Sequence, residues 1–313
     1  MRLYYAGDIH GSEKCWRKFL NAAAFYEANV LVLGGDLTGK ALVPLVERRP
    51  GEWAANVLGR QEVVRGEEAA AELEQRVRFN GFYPYRCSQD EYRRLEADVA
   101  YRDDVVQRVT RDEVERWTAL AEEKLNQSDV RCLVMPGNDD EFEIDEVLDA
   151  ARRVENPDGR VVRVGDYQLL SSAWANPTPW DSPRELPEDE LEAKLEALAA
   201  ELEPGVPAIF NLHCPPYDSG LDLAAELTDD LRVVRKGGEP VIVPVGSTAV
   251  RAVIERHEPL LGLHGHIHES RGAATVGRTL CLNPGSVYAE GVIDGVVVDL
   301  DGGSLIRHQF VQG

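Results

Sequence analysis

The stretch Leu3–His10 reads LYYAGDIH, an apolar run followed by a glycine, an aspartate and a histidine. The apolar run predicts a short buried strand over Leu3–Ala6, followed directly by a polar loop. A helix with Ser12 as its N-cap is expected over Glu13–Ala28, and a second buried strand over Val30–Leu33. Strand, helix and strand within about thirty residues make a βαβ unit, so a parallel sheet is expected to begin here.

The segment from about residue 41 to residue 130 departs from this alternation of strands and helices. Glu67–Phe79 and Asp104–Leu125 have helical character, and residues 80–92 are turn-like and aromatic. The segment is therefore predicted to be a helical insertion. It either shields one edge of the sheet or forms a lid over a functional site, and the sequence leaves both interpretations open.

The remainder of the chain predicts strands and helices, then short strands joined by tight turns. These elements are expected over Arg131–Met135, Val161–Val164, Tyr167–Leu170, Asp189–Leu202, Val206–Leu212, Ser247–Arg256, Leu260–Leu263, Ala273–Val276, Thr279–Leu282, Gly291–Leu300 and Ser304–Val311. Parallel strands at the start and antiparallel strands at the end favour an α/β fold of two packed sheets with helices outside. We expect a single domain over residues 1–313 that carries the insertion.

The composition excludes several classes of function. The chain has 313 residues, 43% of them hydrophobic, and a net charge of −21. This charge disfavours binding to nucleic acid or anionic lipid, because a polyanion would be repelled. The apolar runs are too short for a membrane span, and no signal peptide is recognised before Asp8, which favours a cytoplasmic protein. The five isolated cysteines favour reduced thiols. The scarcity of lysine fits either adaptation to high salt or an ordinary acidic enzyme.

Five polar blocks stand at the ends of predicted strands. They are Asp8-Ile9-His10-Gly11, Gly34-Gly35-Asp36, Gly137-Asn138-Asp139-Asp140, His213-Cys214-Pro215-Pro216 and Gly265-His266-Ile267-His268. Each block is common by itself. Together they indicate one site, because functional residues of parallel sheets gather beyond the carboxyl ends of the strands.

The residue types in these blocks suit a pair of divalent metal ions. Imidazole and carboxylate ligands with one neutral amide are typical of Mn²⁺, Fe²⁺, Co²⁺ or Zn²⁺ sites. In D-x-H and H-x-H the alternation places both side chains on one side of an extended segment. A carboxylate shared by two ions would hold them about 3.5–4 Å apart, the spacing used in displacement at phosphorus.

The order of the blocks resembles that of the calcineurin-like metallophosphoesterases, whose pattern is D-x-H, G-D, G-N-H-D/E, H and G-H-x-H. The resemblance covers the chain from Asp8 to at least His268 apart from the insertion, and it implies a four-layer α/β/β/α sandwich. It also implies two divalent ions, with Mn²⁺ expected first, and hydrolysis of a small-molecule phosphoester by a metal-bound hydroxide. The implied ligands of one ion are Asp8, His10 and His268, those of the other are Asn138, His213 and His266, and Asp36 bridges the two.

One position departs from the family pattern. The family commonly has a histidine after the G-N pair, which protonates or stabilises the leaving oxygen, and here that position is Asp139. A carboxylate of ordinary pKa is ionised at neutral pH and cannot donate a proton. Either the site raises the pKa of Asp139, or another group such as His264 serves, or the substrate has a good leaving group. Phosphodiesters and activated monoesters are therefore favoured.

Other residues are assigned from their proximity to the blocks. Lys40 and Arg271 are predicted to hold phosphate oxygens. The stretch around Asn176–Trp180 and Tyr217 either lines a substrate pocket or forms a packed loop. Two rival functions remain: a nuclease acting on DNA or RNA, which the charge disfavours, and a non-catalytic binding scaffold, which the complete set of ligand positions disfavours. The oligomeric state is not predicted.

Overall fold

A computed structural model describes residues 1–39, 41–228 and 230–313. The strands of the sandwich are β1 Arg2–Ala6, β2 Val30–Gly34, β7 Arg131–Met135, β8 Arg160–Val164, β9 Tyr167–Ser172, β10 Ala208–Leu212, β15 Leu261–Leu263, β16 Gly272–Val276, β17 Thr279–Asn283, β18 Asp294–Asp301 and β19 Ser304–Gln312. Its helices are α1 Glu13–Phe25, α4 Val99–Leu125, α5 Glu143–Ala150, α6 Glu188–Ala199 and α7 Thr248–His257, with a 3₁₀ turn over Tyr288–Glu290.

Two mixed sheets lie face to face at the centre. The first has the strand order β19-β18-β1-β2-β7 and the second the order β16-β17-β15-β10-β9-β8. An apolar cluster that includes Leu3, Tyr5, Val32, Leu169 and Leu263 fills the space between them. These strands read as continuous apolar runs because both of their faces are covered.

Helices cover the outer face of each sheet. α1, α4 and α5 pack on the first sheet, and the indole rings of Trp16 and Trp117 stack 5.5 Å apart where α1 meets α4. α6 and α7 pack on the second sheet through Leu191, Leu195 and Val253. The α/β sandwich expected from the sequence is therefore confirmed, and among the described residues no helix is both long and apolar enough to cross a membrane.

The sequence predicts a helical insertion, but the inserted segment contains strands as well as helices. It begins with strands β3 Leu42–Arg49, β4 Glu52–Val57 and β5 Arg60–Arg65, continues with α2 Glu67–Phe79, β6 Tyr83–Ser88 and α3 Gln89–Ala97, and ends in α4. The four strands form a separate sheet in the order β5-β4-β3-β6, covered on one side by α2. The strands were missed because β5 and the end of β3 expose charged side chains, so their apolar alternation is weak.

α4 belongs to both parts of the molecule. Val105 and Val109, in its first half, pack with Tyr83 and Leu95 in a small core of the insertion. The second half, represented by Trp117, packs in the outer layer of the sandwich. The insertion therefore has no clean boundary at residue 130.

A further region without a predicted element, residues 223–244, forms two small antiparallel ribbons: β11 Leu223–Ala225 with β14 Ile242–Pro244, and β12 Arg235–Lys236 with β13 Glu239–Pro240.

The five polar blocks follow strands β1, β2, β7, β10 and β15. β1, β2 and β7 are mutually parallel neighbours in the first sheet, and β10 and β15 are parallel neighbours in the second. The carboxyl ends of these strands meet at one edge of the sandwich, and this is where the polar side chains come together.

Candidate metal centre and cavity

The structure brings the seven predicted ligands together in two groups that share one carboxylate. Asp8, His10, Asp36 and His268 place one donor atom each within 4.8 Å of one another. Asp36, His213 and His266 form the second group by the same measure. The side chain of Asn138 joins this group, because its Oδ1 lies 3.0 Å from Nε2 of His213. The division into two groups bridged by Asp36 is the one that the family resemblance implies.

The donor atoms converge closely. Nε2 of His10 lies 3.1 Å from Nε2 of His268 and 3.5 Å from Oδ2 of Asp36. Nε2 of His268 lies 3.4 Å from Oδ1 of Asp8, and Nε2 of His213 lies 3.4 Å from Oδ1 of Asp36. Nitrogen and oxygen atoms that bind one ion at about 2.0–2.2 Å are separated from one another by distances of this order.

The backbone at the site is held in an unusual conformation. Asp8, His10, Asp36 and His266 all have positive φ, at 54°, 39°, 49° and 65°. Residues other than glycine seldom adopt this region, and each such residue costs about 1–3 kcal/mol. Four of the seven predicted ligands carry this strain, so the surrounding loops must impose their geometry.

Three glycines of the blocks pack directly against a residue from another block. A Cβ on Gly35 would lie 2.3 Å from Nδ1 of His213. A Cβ on Gly137 would lie 2.2 Å from Oδ1 of Asp36, and a Cβ on Gly265 would lie 2.3 Å from Oδ2 of Asp8. These distances are far below van der Waals contact, so only glycine lets the backbone of one loop reach the side chain of the next.

Hydrogen bonds orient the predicted ligands. Nδ1 of His213 lies 2.9 Å from the carbonyl oxygen of Gly34, which directs Nε2 of that ring towards Asp36. The backbone N–H of His266 donates to Oδ1 of Asp8 at 2.8 Å, and that of Asp139 donates to Oδ1 of Asp36 at 3.1 Å. The bond to Gly34 fixes the ring orientation of His213 and raises the basicity of its Nε2, and the two N–H donors fix the orientation of the carboxylates.

Asp140, a member of the third block to which the sequence assigned no role, ties two of the loops together. Its buried carboxylate accepts hydrogen bonds from the backbone N–H groups of Leu37, Thr38 and Gly137 and from the hydroxyl of Thr38. The loop after β2 and the loop after β7 therefore share one buried anchor. This anchor sets the position of Asp36 relative to Asn138.

The segment 182–184 holds the second of these loops from the opposite side. The hydroxyl of Ser182 donates to Oδ1 of Asp139 at 2.7 Å, and the N–H of Arg184 donates to the carbonyl of Asn138 at 3.2 Å. The guanidinium of Arg184 is 2% exposed, pairs with Asp145, and donates to the carbonyls of Asp140 and Glu141. Contacts between residues about forty positions apart leave no local pattern, so the sequence could not reveal them.

Burial and neighbouring charges shift the pKa values of the cluster in opposite directions. Burial alone would raise the pKa of Asp36, yet the facing imidazoles of His213 and His10 hold it well below its ordinary value. Burial alone would lower the pKa of His213, yet Asp36 raises it to about 10. Burial lowers the pKa of His266 to about 4. Without a cation, a protonated His213 therefore balances Asp36, and His266 stays neutral.

The residues fit a pair of divalent cations. Two buried carboxylates, four imidazoles and an amide oxygen present donor atoms of the kinds that transition-metal ions prefer. The glycine contacts leave the donors no room to separate. Within the described part of the chain, the two donor groups share only Asp36, as a bridging carboxylate would.

Of the residues predicted to act on the substrate, the structure places only some beside the cluster. Asp139 lines the cavity beside the cluster, as expected. His264 is fully buried, its Nδ1 faces the carbonyls of Leu212 and Cys214, and burial lowers its pKa to about 4. It therefore packs behind the site and is not a proton donor to the substrate. Arg271 pairs with Asp294 at 2.6 Å, outside the described cavity lining. The structure therefore pairs Arg271 with Asp294, away from the cluster, and its assignment to the phosphate stays a prediction. Lys40 lies outside the described residues.

The cluster forms the floor of a cavity of about 1160 Å³. The residues around Asn176–Trp180 and Tyr217 line this cavity, and that the cavity binds a substrate stays a prediction. The insertion contributes Asn80, Gly81 and Phe82, and the β11–β14 ribbon contributes a further wall. The sequence missed Tyr288, whose ring centroid lies 4.7 Å from that of His10 and 5.8 Å from that of His268. Burial raises the pKa of Tyr288, so its hydroxyl stays protonated at neutral pH.

Comparisons with known proteins agree with the fold. The chain matches no family model. It is 30% identical over 158 residues, half of its length, to the uncharacterized protein MJ1162 of Methanocaldococcus jannaschii, and spans 64% of that relative. Over its whole length it is similar to TT1561 of Thermus thermophilus, with a TM-score of 0.55 and 14% identity across 97% of that chain. It also aligns with the calcineurin-like phosphoesterase YfkN of Bacillus subtilis, at a TM-score of 0.43 and 9% identity over 90% of that chain.

Proposed function

We propose that the protein is a metal-dependent phosphoesterase that hydrolyses a phosphodiester or an activated phosphomonoester. The observation that supports this most directly is the pair of donor groups that share Asp36 at the floor of the cavity. The same pattern of blocks in the calcineurin-like metallophosphoesterases supports it. Two divalent ions, Mn²⁺ first and otherwise Fe, Zn or Co, are the proposed cofactors, held by the seven residues in the two groups described above.

When bound, two such ions supply Lewis acidity towards the phosphoryl oxygens and activate water. The protein's own residues do the positioning. The strained loops and the shared anchor Asp140 hold the donor atoms in place before substrate arrives, so little rearrangement is required during the reaction. The closely packed glycines keep other side chains from entering the site.

Asp139 faces the cavity in the place where the family commonly has a histidine. Its carboxylate accepts the hydroxyl proton of Ser182 in a hydrogen bond, which orients it beside Asp36. We propose that Asp139 orients water or the leaving group and that the substrate has a leaving group of low basicity. The protonated hydroxyl of Tyr288, also in the lining, is the group we propose to donate a hydrogen bond to the substrate.

Asp36→Ala and Asn138→Ala test the proposal. Each variant is expected to lose Mn²⁺-dependent hydrolysis of bis-p-nitrophenyl phosphate by about 100-fold or more, because each removes a donor from the cluster. Arg160→Ala, which removes an exposed pair with Asp149, serves as the control and should keep full activity. Wild-type turnover in the Asp36 variant would refute the assignment.

The two rival functions are separated by the same preparation. A nuclease would cleave single-stranded oligonucleotides in the presence of Mn²⁺, and we expect no such cleavage because the protein carries a net charge of −21. A scaffold would bind no metal and hydrolyse no ester. Metal analysis together with both assays distinguishes the three functions. A cytoplasmic location and a small-molecule substrate complete the proposal.

A further inference from the structure

The size of the cavity exceeds what a simple phosphate ester requires. Its volume of about 1160 Å³ is slightly above the range of about 300–1,000 Å³ that is typical of pockets for small organic ligands. The metal-binding cluster occupies only the floor. The remaining walls are therefore available to the organic part of a substrate, and their chemistry indicates what they would bind.

The walls are largely apolar and aromatic. Phe82 comes from the insertion, Trp180 from the proline-rich segment, and Tyr217 from the loop after β10. Leu227 and Val243 come from the ribbon region, 223–244. Aromatic and aliphatic walls of this kind gain binding energy by removing apolar surface from water.

Trp180 is 60% exposed, yet its backbone is held firmly. Its N–H donates to the hydroxyl of Thr178 at 3.2 Å, and the carboxylate of Glu185 accepts bonds from the N–H of Thr178 and the N–H of Ser182. An exposed indole on an ordered loop at a cavity wall is a surface ready to cover an apolar group.

The charged residues of the described lining are acidic. Asp139, Glu188, Glu226 and Glu269 belong to it, and the lining as described contains no arginine or lysine. The carboxylate of Glu188 accepts bonds from the hydroxyl of Ser247 and the backbone N–H groups of Thr248 and Ala249 at the start of α7, so these donors are already occupied. A second phosphate would require cationic or N–H donors to offset its charge.

Nearby arginines are engaged elsewhere. Arg184 holds the loop after β7, and Arg271 pairs with Asp294. Arg251 donates to the carbonyls of Tyr217 and Asp218. Among the residues that the structure describes, the metal-binding cluster is therefore the part of the cavity suited to a phosphoryl group.

We infer that the substrate is an ester of a single phosphate whose organic group is bulky, apolar and without further negative charge. This inference rests on the proposed phosphoesterase function. In the reaction, water forms a new P–O bond, the ester P–O bond breaks, and the alcohol or phenol leaves with the proton that the water loses.

A series of p-nitrophenyl phosphodiesters with one leaving group tests the inference, because only the second organic group varies. The second group is methyl, hexyl, choline or the 5′-oxygen of thymidine 3′-phosphate. Hydrolysis of each ester in the presence of Mn²⁺ is followed by the release of p-nitrophenol. We expect kcat/KM for the hexyl ester to exceed that for the methyl ester by about tenfold or more, since each buried methylene adds binding energy. The thymidine ester, which carries a second phosphate, should be the poorest substrate.

Variants of the wall locate the effect. Trp180→Ala and Leu227→Ala should each reduce the preference for hexyl over methyl several-fold, because each variant removes part of the apolar wall. Phe25→Ala, at a side chain 78% exposed on α1 and outside the described lining, is the matched control and should preserve the preference.

The outcomes separate the two proposals. Equal rates for the methyl and hexyl esters, or a preference for the choline or thymidine ester, would overturn the inference and leave the phosphoesterase function intact. Failure to hydrolyse any ester in the series with Mn²⁺ would overturn the phosphoesterase function as well. A hexyl preference that Trp180→Ala and Leu227→Ala both leave unchanged would also contradict the inference, because these walls would not be the ones that bind the apolar group.

Discussion

The loops at the edge of the sandwich and the inserted segment use glycine for opposite reasons. In the loops, an added Cβ on Gly35, Gly137 or Gly265 would collide with a side chain from another block. In the insertion, Gly51 and Gly59 have positive φ but face open space. The first set allows separate parts of the chain to approach one another, whereas the second only turns the backbone. Dependence on distant residues therefore distinguishes these three glycines from Gly51 and Gly59.

The largest expected difference comes from substituting one glycine of each kind. Gly137→Ala should lower Mn²⁺-dependent turnover by about 100-fold or more, because its Cβ would displace the Asp36 carboxylate. Gly59→Ala should cost about 1 kcal/mol of stability through its positive φ and leave turnover unchanged. Steady-state kinetics and urea unfolding of both variants measure the two effects. Normal turnover in Gly137→Ala would show that the contact with Asp36 is not required.

The segment that supports the edge from behind should give the next largest effect. Arg184→Met is expected to lower the free energy of unfolding by about 2–4 kcal/mol, because it leaves the carbonyls of Asp140 and Glu141 without a buried donor. Arg160→Ala, whose pair with Asp149 is exposed, should cost at most about 1 kcal/mol. Urea unfolding compares them. Equal losses would contradict a special role for the buried guanidinium.

Metal binding should release a proton at the edge. His213 has a pKa of about 10 without a cation, so it is protonated at neutral pH and must lose its proton to bind a metal ion. His266, with a pKa of about 4, has none to lose. Each proton released should raise the apparent affinity for Mn²⁺ about tenfold per pH unit as the pH rises. Calorimetry in buffers of different ionisation enthalpy measures the number released, and a value of zero would refute the charge state of His213.

The smallest expected effect lies where the insertion joins the sandwich. Glu13 on α1 is buried, and although burial alone would raise its pKa, Arg116 on α4 and Arg17 hold that pKa below its ordinary value. A lowered pKa contributes stability above the unfolded value of about 4.3, and this stability is lost as the pH falls through the folded value. Glu13→Gln should therefore cost up to about 1 kcal/mol at pH 7, and the cost should shrink on acidification. Urea unfolding at pH 7 and pH 3.5 tests this, and a cost independent of pH would contradict the ionic origin.

The sequence allowed the core and the donor set to be located because both depend on local patterns. An apolar run followed by Gly and Asp or His marks a strand and its loop, and parallel strands bring such loops to one edge. The hairpin of β4 and β5 was missed because partly exposed strands alternate weakly. The support from Arg184 depends on residues distant in sequence. His264 and Arg271 both lie next to the last block in sequence, but their side-chain directions are not encoded locally. His264 faces the interior, and Arg271 turns towards Asp294.

The helix α4 has a consequence for how the molecule comes apart. One half of this continuous helix belongs to the small core of the insertion and the other half to the outer layer of the sandwich. Loss of either core removes the support for half of the helix, so the two regions should unfold in one cooperative transition. The insertion is therefore not an independent folding unit, because α4 is part of both regions. The stacked indoles of Trp16 and Trp117, where α1 meets α4, would report that transition by fluorescence.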